Sequence, residues 1–452
     1  MSNKTISGFS KLSKRGKIKW IVENFFKDPE AVTKELTSYW HGNAAQQKVL
    51  DGFSENTISN FPMPYGVAPN VVINGRTYCV PMVIEESSVV AAASSAAKYW
   101  MDRGGFKAEV LSTTKVGQVH FMWHGATADI TAFFEEEKNG LLADVAHLTK
   151  GMVARGGGIT NIELLDFSDK KAGYYQLKLY FETCDSMGAN FINSVLEAMA
   201  NAWSKRIAGN KKFSAADKLV EIVMSILSNF TPDCIVRASV SCPISDFDPK
   251  LSEAEKAILA KRFETAVNIA HLDPYRAATH NKGIYNGVDA VVLATGNDFR
   301  AIEACGHTYA SRSGSYSSLS HCEVKDGVFK FWLDLPLAVG TVGGLTSIHP
   351  MAKRSLDMLG NPNAKELMMI IASVGLAQNF AAIKSLVTTG IQKGHMKMHL
   401  LNILTHLEAS EKESELTVAH FREKAVSFSS VRTFLEELRG IKVSPMPIRA
   451  IK

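Results

Sequence analysis

The chain has 452 residues, 46% hydrophobic and 21% charged, with a formal net charge of +5. That length exceeds what one simple core serves, so two or three domains are expected. The composition is that of a soluble globular protein, and the small, scattered positive balance excludes a basic nucleic-acid-binding arm while suiting an anionic substrate or cofactor. The six cysteines (Cys79, Cys184, Cys234, Cys242, Cys305 and Cys322) make no CxxC pair and no zinc-ligand spacing, so they read as reduced thiols of a cytoplasmic protein. The polar, basic stretch Met1 to Lys19 has no apolar centre and is not a signal peptide.

Residues 13–50 carry apolar positions at helical spacing, as in Ile18, Ile21, Val22, Phe25 and Phe26. Val71-Val72-Ile73, Asn74-Gly75 and Tyr78-Cys79-Val80 predict a hairpin, because Asn-Gly accepts the positive φ of a two-residue turn. After Glu85-Glu86-Ser87-Ser88 an Ala-rich run to Tyr99 predicts a helix with acid at its N-terminal end, broken by Gly104-Gly105. From about 110 to 225 the texture is βαββα: strands at Gln118 to Trp123, Ile162 to Phe167 and Tyr174 to Phe181, helices at Ile130 to Val153 and Ala189 to Ile207. This predicts a small α+β domain inserted into a larger one. The larger domain resumes with a helix over Ala254 to Ala270, a strand around Phe329 to Leu333, and helices from Pro350. Met368 to Val387 is apolar enough to consider as a membrane span, but Gln378, Asn379 and Lys384 favour a buried helix and no membrane. Thr389-Gly390 and Lys393-Gly394 read as a hinge before a charged helical tail.

Polar chemistry concentrates in Asp273-Pro274-Tyr275-Arg276-Ala277-Ala278-Thr279-His280-Asn281-Lys282-Gly283, with Asp298 following in Ala294-Thr295-Gly296-Asn297-Asp298. A lysine and an aspartate, each on a Gly-marked turn beside an apolar run, suggest a buried site where an ammonium stabilises an oxyanion and a carboxylate moves protons. The ordinary readings are a solvent-facing Lys282 and a plain turn residue at Asp298. Glu86 reads either as a favourable acid at a helix start or, with Glu85 adjacent, as a carboxyl of raised pKa able to act as a general acid. His395 and His399 share a helical face, but no HExxH-type glutamate lies between them, so no metal is predicted. No GxGxxG follows a strand, which argues against a Rossmann fold. Asp185-Ser186-Met187-Gly188-Ala189-Asn190 at a helix start and Gly156-Gly157-Gly158 could instead admit a pyrophosphate, or be turns.

In order, Glu55-Asn56-Thr57-Ile58, Pro64-Tyr65-Gly66-Val67-Ala68, Glu85-Glu86, Asp185 to Asn190, Arg276 to Gly283, Thr295 to Asp298, Gly375-Leu376-Ala377-Gln378-Asn379 and Gly394-His395-Met396 resemble class II hydroxymethylglutaryl-CoA reductases over nearly the whole chain. The resemblance implies an α+β fold: a large substrate-binding domain (1–110 and 226–389), an inserted non-Rossmann cofactor domain (111–225) and a C-terminal helical flap (390–452). It implies catalytic roles for Glu86, Lys282, Asp298 and His395, with Asp298 bridging Lys282 and Glu86. Arg276, Ser88 and Asn286 would hold the hydroxymethylglutaryl group, and Asp185, Met187, Gly188 and Asn190 the nicotinamide cofactor. Hydroxymethylglutaryl-CoA, mevalonate and CoA are the implied substrates and products, and a homodimer or an assembly of dimers the implied state. The Ala/Val-rich helix after Glu86, too apolar to stand exposed, adds to the expectation of a dimer interface. The animal and yeast members carry a membrane anchor, for which this chain has no room.

Two departures bear on function. The family's Glu-Glu-Pro-Ser is Glu85-Glu86-Ser87-Ser88 here, which loosens the first helical turn. Where NADH-preferring members place an acid against the adenosine ribose, gapless counting puts Thr149 and Lys150, which favours NADPH, with NADH possible. The same catalyst working oxidatively on mevalonate with NAD is the nearest alternative. A non-catalytic acyl-CoA-binding protein would be favoured only if one of the four catalytic residues were missing, and none is.

Overall fold

The computed structural model describes residues 4–388, 400–422, 424 and 426–440. Its buried residues separate into three apolar cores. The first belongs to a four-stranded antiparallel sheet in the order β3 (Lys107–Thr113), β8 (Cys234–Pro243), β10 (Val328–Pro336), β9 (Ser320–Lys325). Helices α4 (Ser87–Met101), α7 (Glu253–Leu272), α8 (Pro274–Ala294) and α12 (Ala364–Val387) pack with it, as does the hairpin of β1 (Tyr65–Ile73) and β2 (Arg76–Val83). The hairpin turn is the Asn-Gly expected: Asn74 at φ 50 and Gly75 at φ 84. Strand β8 escaped the sequence reading although its period of two is clean. Cys234, Val236, Ala238, Val240 and Cys242 face inward, but cysteine and alanine give a weak strand signal.

The second core lies between an antiparallel sheet ordered β5 (Gly158–Asp166), β6 (Tyr174–Glu182), β4 (Lys115–Met122), β7 (Glu221–Leu227) and helices α5 (Thr127–Val153) and α6 (Ala189–Gly209). The chain passes from the first sheet to the second at Thr114, between β3 and β4, and returns through residues 228–233. Every pair of neighbouring strands in this sheet is antiparallel, so it offers no βαβ crossover of the dinucleotide-binding kind. The third core is small. Leu400, Ile403, Leu404, Phe421, Val431 and Leu435 pack among residues 400–407, α13 (Glu411–His420) and α14 (Phe428–Leu438).

Helix α12 is apolar all round because it is enclosed. Of its most hydrophobic 18-residue window, 78% is buried inside the protein. It crosses α8 closely enough that a Cβ at Gly287 would lie 2.8 Å from the Val374 carbonyl oxygen, and one at Gly375 would lie 2.8 Å from Val288 Cγ2. Helix α4 is also internal on its apolar side: Val89, Ala93, Ala96, Ala97 and Trp100 join the first core. Its hydrophobicity is therefore used within one chain, and the argument from it to a subunit interface does not stand.

Candidate active site

Glu86 is the N-cap of α4, yet its side chain makes no capping bond. The carboxylate instead accepts the Ser88 hydroxyl at 2.5 Å through Oε1 and faces the Lys282 ammonium at 3.9 Å through Oε2. Lys282 is not on a turn, as its neighbouring glycine suggested. Asp273, whose side chain accepts the Tyr275 N–H, and Pro274 start α8 eight residues earlier, and Lys282 and Gly283 lie within it. Its side chain is 66% exposed and that of Glu86 39%, so the pair lies at an accessible surface. Asn286 follows Lys282 by one helical turn, on the same face.

Asp298 is placed by a compact stop-and-start. Gly296 takes φ 70, its N–H returns to the Leu293 carbonyl and that of Asn297 to Val292. This double bond pattern satisfies the last carbonyls of α8 and needs a residue tolerant of the left-handed region at Gly296. Asp298 then caps α9 (Phe299–Ala310), accepting from the N–H groups of Arg300 and Ala301. Arg300 also grips it bidentately, Nε to Oδ1 at 3.0 Å and Nη2 to Oδ2 at 2.9 Å. Burial would raise this carboxyl, but the guanidinium and the two N–H groups outweigh it and hold Asp298 below the usual range. Among the described residues Asp298 makes no bond to Lys282 or Glu86, so the expected bridge is not formed within one chain.

Asp298 faces a cleft of about 1660 Å³ between the first two cores. Met187, Gly188 and Asn190 line the same cleft. Gly188 starts α6 at φ 89, where a Cβ would strike Thr183 Cγ2 at 2.5 Å. No side chain caps α6, so its first N–H groups have no protein side chain to take them at the cleft wall. Two guanidinium groups, Arg155 and Arg300, line the cleft against one carboxylate, Asp298. Uncapped amides and two cations suit a phosphate-bearing ligand. The two walls are pinned together. Asn297 Oδ1 accepts the Gly340 N–H at 2.8 Å, and a Cβ on Gly340 would lie 2.5 Å from the Met187 nitrogen.

Several expectations are corrected. Asp185 does not line the cleft; its carboxylate accepts the Ala364 N–H. Thr149 is buried, its hydroxyl donating to the Ala146 carbonyl, and neither it nor Lys150 lines the cleft. On α5 the cleft-facing residues are Leu148, Gly151 and Met152, followed by Arg155, so gapless counting chose the wrong side of the helix. Arg276 stands six residues from Lys282 on α8, which turns it to a different face, and burial lowers its pKa. His280 and Asn281 are structural. His280 Nε2 meets Ser320 Oγ at 2.6 Å, and Ser320 donates to Asn379 Oδ1 at 2.7 Å. Burial, foremost, and the positive Arg276 push the His280 pKa down to about 3. Asn281 holds the Ser317 carbonyl and the Leu319 N–H. His395 and His399 lie outside the described residues.

The sequence reading missed Arg300, Arg155 and Lys115. Arg300 left a signal, since a cation in the first turn of a helix opposes the dipole and calls for a partner. Lys115 is buried behind the Asp185–Asn190 loop, its ammonium on Thr183 Oγ1 at 2.6 Å and on the Ser186 carbonyl at 3.4 Å. Its strand position gave no hint of this.

The chain thus combines two antiparallel sheets with their helices, a surface lysine–glutamate pair and a separate phosphate-suited cleft that holds Asp298. The family model described as hydroxymethylglutaryl-coenzyme A reductase matches residues 18–400. The chain belongs to that family. It is similar to the 3-hydroxy-3-methylglutaryl-coenzyme A reductase of Archaeoglobus fulgidus, 35% identical over 439 residues, covering 96% of this chain and 95% of that protein. It is 32% identical to a probable reductase of the same name from Borreliella burgdorferi, covering 92% of each. Among solved structures it resembles the class II reductase of Streptococcus pneumoniae bound to NADPH in open conformations, with a TM-score of 0.70 and 36% identity over 85% of this chain and all of that one. The chain is thus of the class II, bacterial type.

Proposed function

We propose that this chain reduces 3-hydroxy-3-methylglutaryl-CoA to mevalonate and free CoA with two NADPH. The observation that carries the reading is the Lys282–Glu86 pair, with Ser88 fixing the carboxylate, at the surface of a family member whose cleft at Asp298 fits a phosphate-bearing cofactor. The nicotinamide supplies a hydride to the thioester carbon in each of two steps. In the first, the Lys282 ammonium stabilises the oxygen as it becomes an oxyanion, and a hemithioacetal of CoA forms. His395, carried by the flap at 390–452, donates a proton to the departing CoA thiolate. In the second, Glu86 gives its proton to the alkoxide of the aldehyde, through or beside Lys282. Arg276, which turns away from Lys282 in its own chain, is supplied by a second copy to hold the substrate carboxylate, and Ser88 and Asn286 hold its remaining oxygens. The small domain, 111–225, holds the cofactor through the Met187–Asn190 turn; Asp185 supports that turn from behind.

We infer further that two copies of the chain complete the site. In one chain Lys282 meets Glu86, while Asp298 is occupied by Arg300 and Arg276 turns away. Leu272 and Tyr275, at 83% and 89% exposure, flank the start of α8 and suit burial by a partner. The compartment proposed is the cytoplasm. The catabolic direction with NAD stays the second reading. Following reduced-nicotinamide absorbance with hydroxymethylglutaryl-CoA, and titrating released thiol, tests the proposal. Two cofactors consumed per CoA released is the expected result. Cofactor turnover without thiol release would overturn it.

A further inference from the structure

We propose that Arg300 is a positioning residue that withholds Asp298 until a phosphate group in the cleft draws the guanidinium away. This rests on the reading of the cleft as the cofactor site and of Asp298 as catalytic. Arg300 occupies the first turn of α9, where the helix end disfavours a cation. What holds it there is the two-bond grip on Asp298. That grip has a consequence for the carboxylate: its two oxygens take two guanidinium bonds and two backbone N–H bonds. An Asp298 so engaged has little left to offer an ammonium.

The arrangement is easily undone. The Arg300 side chain is 76% exposed and that of Asp298 34%, and exposed ion pairs are weakly held. Arg300 can swing without disturbing any packing. It opens onto the same cleft as Arg155 and the uncapped start of α6, so a phosphate bound there competes directly with Asp298 for the fork. The other titratable groups lining the cleft are Tyr39, His41, Tyr65 and His349. None is a carboxylate, so none offers Arg300 a rival partner. Loss of Arg300 frees Asp298 for the Lys282 of a second copy, the pairing proposed above, and the two equilibria are then linked. Whatever weakens the Asp298–Arg300 pair then tightens phosphate binding, by at most the factor by which the pair is weakened.

The test is a double-mutant cycle read as NADPH affinity on the full-length protein without acyl substrate, by fluorescence titration. Asp298→Asn keeps the helix cap but removes the charge, and is expected to tighten NADPH binding roughly two- to fivefold, the range an exposed ion pair allows. Arg300→Gln is expected to weaken binding about tenfold, with Arg300→Lys recovering part of it. Adding Asp298→Asn to Arg300→Gln should then change nothing further. Unchanged affinity in Asp298→Asn, or the same tightening in the Arg300→Gln background, overturns the proposal. Turnover of Asp298→Asn is a separate matter: if it survives, Asp298 is not catalytic, whatever the binding cycle reports.

Discussion

Asp185 accepts the backbone N–H of Ala364 at 2.8 Å, so a side chain of the cofactor loop sits on the head of α12. The same residue's carbonyl accepts the Thr341 N–H at 2.8 Å. Asp185 thus fastens the turn that begins α6 at two points, to the head of α12 and to Thr341. Helix α12 runs from this contact to Val387, next to the segment that contains His395. The acid at position 185 is therefore explained by anchorage, because an anion complements a helix N-terminus.

Removing that anchor should loosen the turn. Asp185→Ala is expected to cost about 1–2 kcal/mol of stability, the size of a lost helix-start acceptor, and to raise the KM for NADPH more than that for the acyl substrate. Denaturant unfolding with parallel kinetics checks this. Equal rises in both constants would mean that Asp185 serves the whole fold and not the turn.

Gly287 and Gly375 make a separate prediction about the core. Gly287→Ala places a methyl 2.8 Å from a backbone oxygen on α12, which cannot yield as a side-chain tip would. The helices must part, at a cost of about 1–3 kcal/mol. Thermal unfolding should show a fall in Tm. A variant as stable as the parent would show that α8 and α12 slide freely.

A pH prediction comes from Asp289, on α8 opposite Glu303 of α9. Burial, and then the Glu303 charge, push its pKa up to about 8 from an unfolded value of 3.8. Between those values the folded chain holds a proton that the unfolded chain has released, so stability falls as pH rises through the window. Asp289→Asn removes the penalty. Its Tm should exceed that of the parent at pH 8 and converge with it near pH 4. An advantage that grows toward acid pH would contradict the assignment.

Legibility of the sequence tracked locality. Elements set by their own residues could be read: the Asn74-Gly75 turn, the helix after Glu86, and the long enclosed helix flagged by Gln378 and Asn379. What failed depended on distant partners. His280 and Asn281 looked like site residues because they neighbour Lys282, but helical phase turns them into the core, onto Ser320 and the 317–319 backbone. Thr149 failed by the same rule. Asp298 is the exception: its partner, Arg300, is only two residues away, and a cation in the first turn of α9 is a local signal for it.

Arg155 follows that correction into cofactor choice. It lines the cleft near the end of α5, while Thr149 points inward and Lys150 lies off the cleft wall. If NADPH is preferred, this guanidinium is the group placed to meet a 2′-phosphate. Arg155→Asp should lower kcat/KM for NADPH by on the order of 100-fold, as expected when an ionic contact becomes a repulsion, and change that for NADH far less. Lys150→Ala should leave the ratio nearly intact. A ratio that shifts with Lys150 and not with Arg155 would return the contact to α5.

Subunit mixing tests the composite site most directly. Lys282→Met should lose roughly 100- to 1000-fold in kcat, as when a preorganised oxyanion donor is removed, and Asp298→Asn should be comparably impaired. If Lys282 of one copy works with Asp298 of the other, then co-refolding the two inactive variants makes dimers in which one site carries both lesions and the other carries neither. Random pairing yields about half mixed dimers with one intact site each, or about a quarter of wild-type activity. The motivation is the unshared partnership in one chain, where Lys282 faces Glu86 and Asp298 faces Arg300. Mixing Lys282→Met with Glu86→Gln is the control. Those two residues already meet in one chain, so a mixed dimer carries one lesion in each of its two sites, and no activity should return. Recovery in the control but not in the Lys282/Asp298 mixture would reverse the assignment, and recovery in neither would place a complete site within each chain.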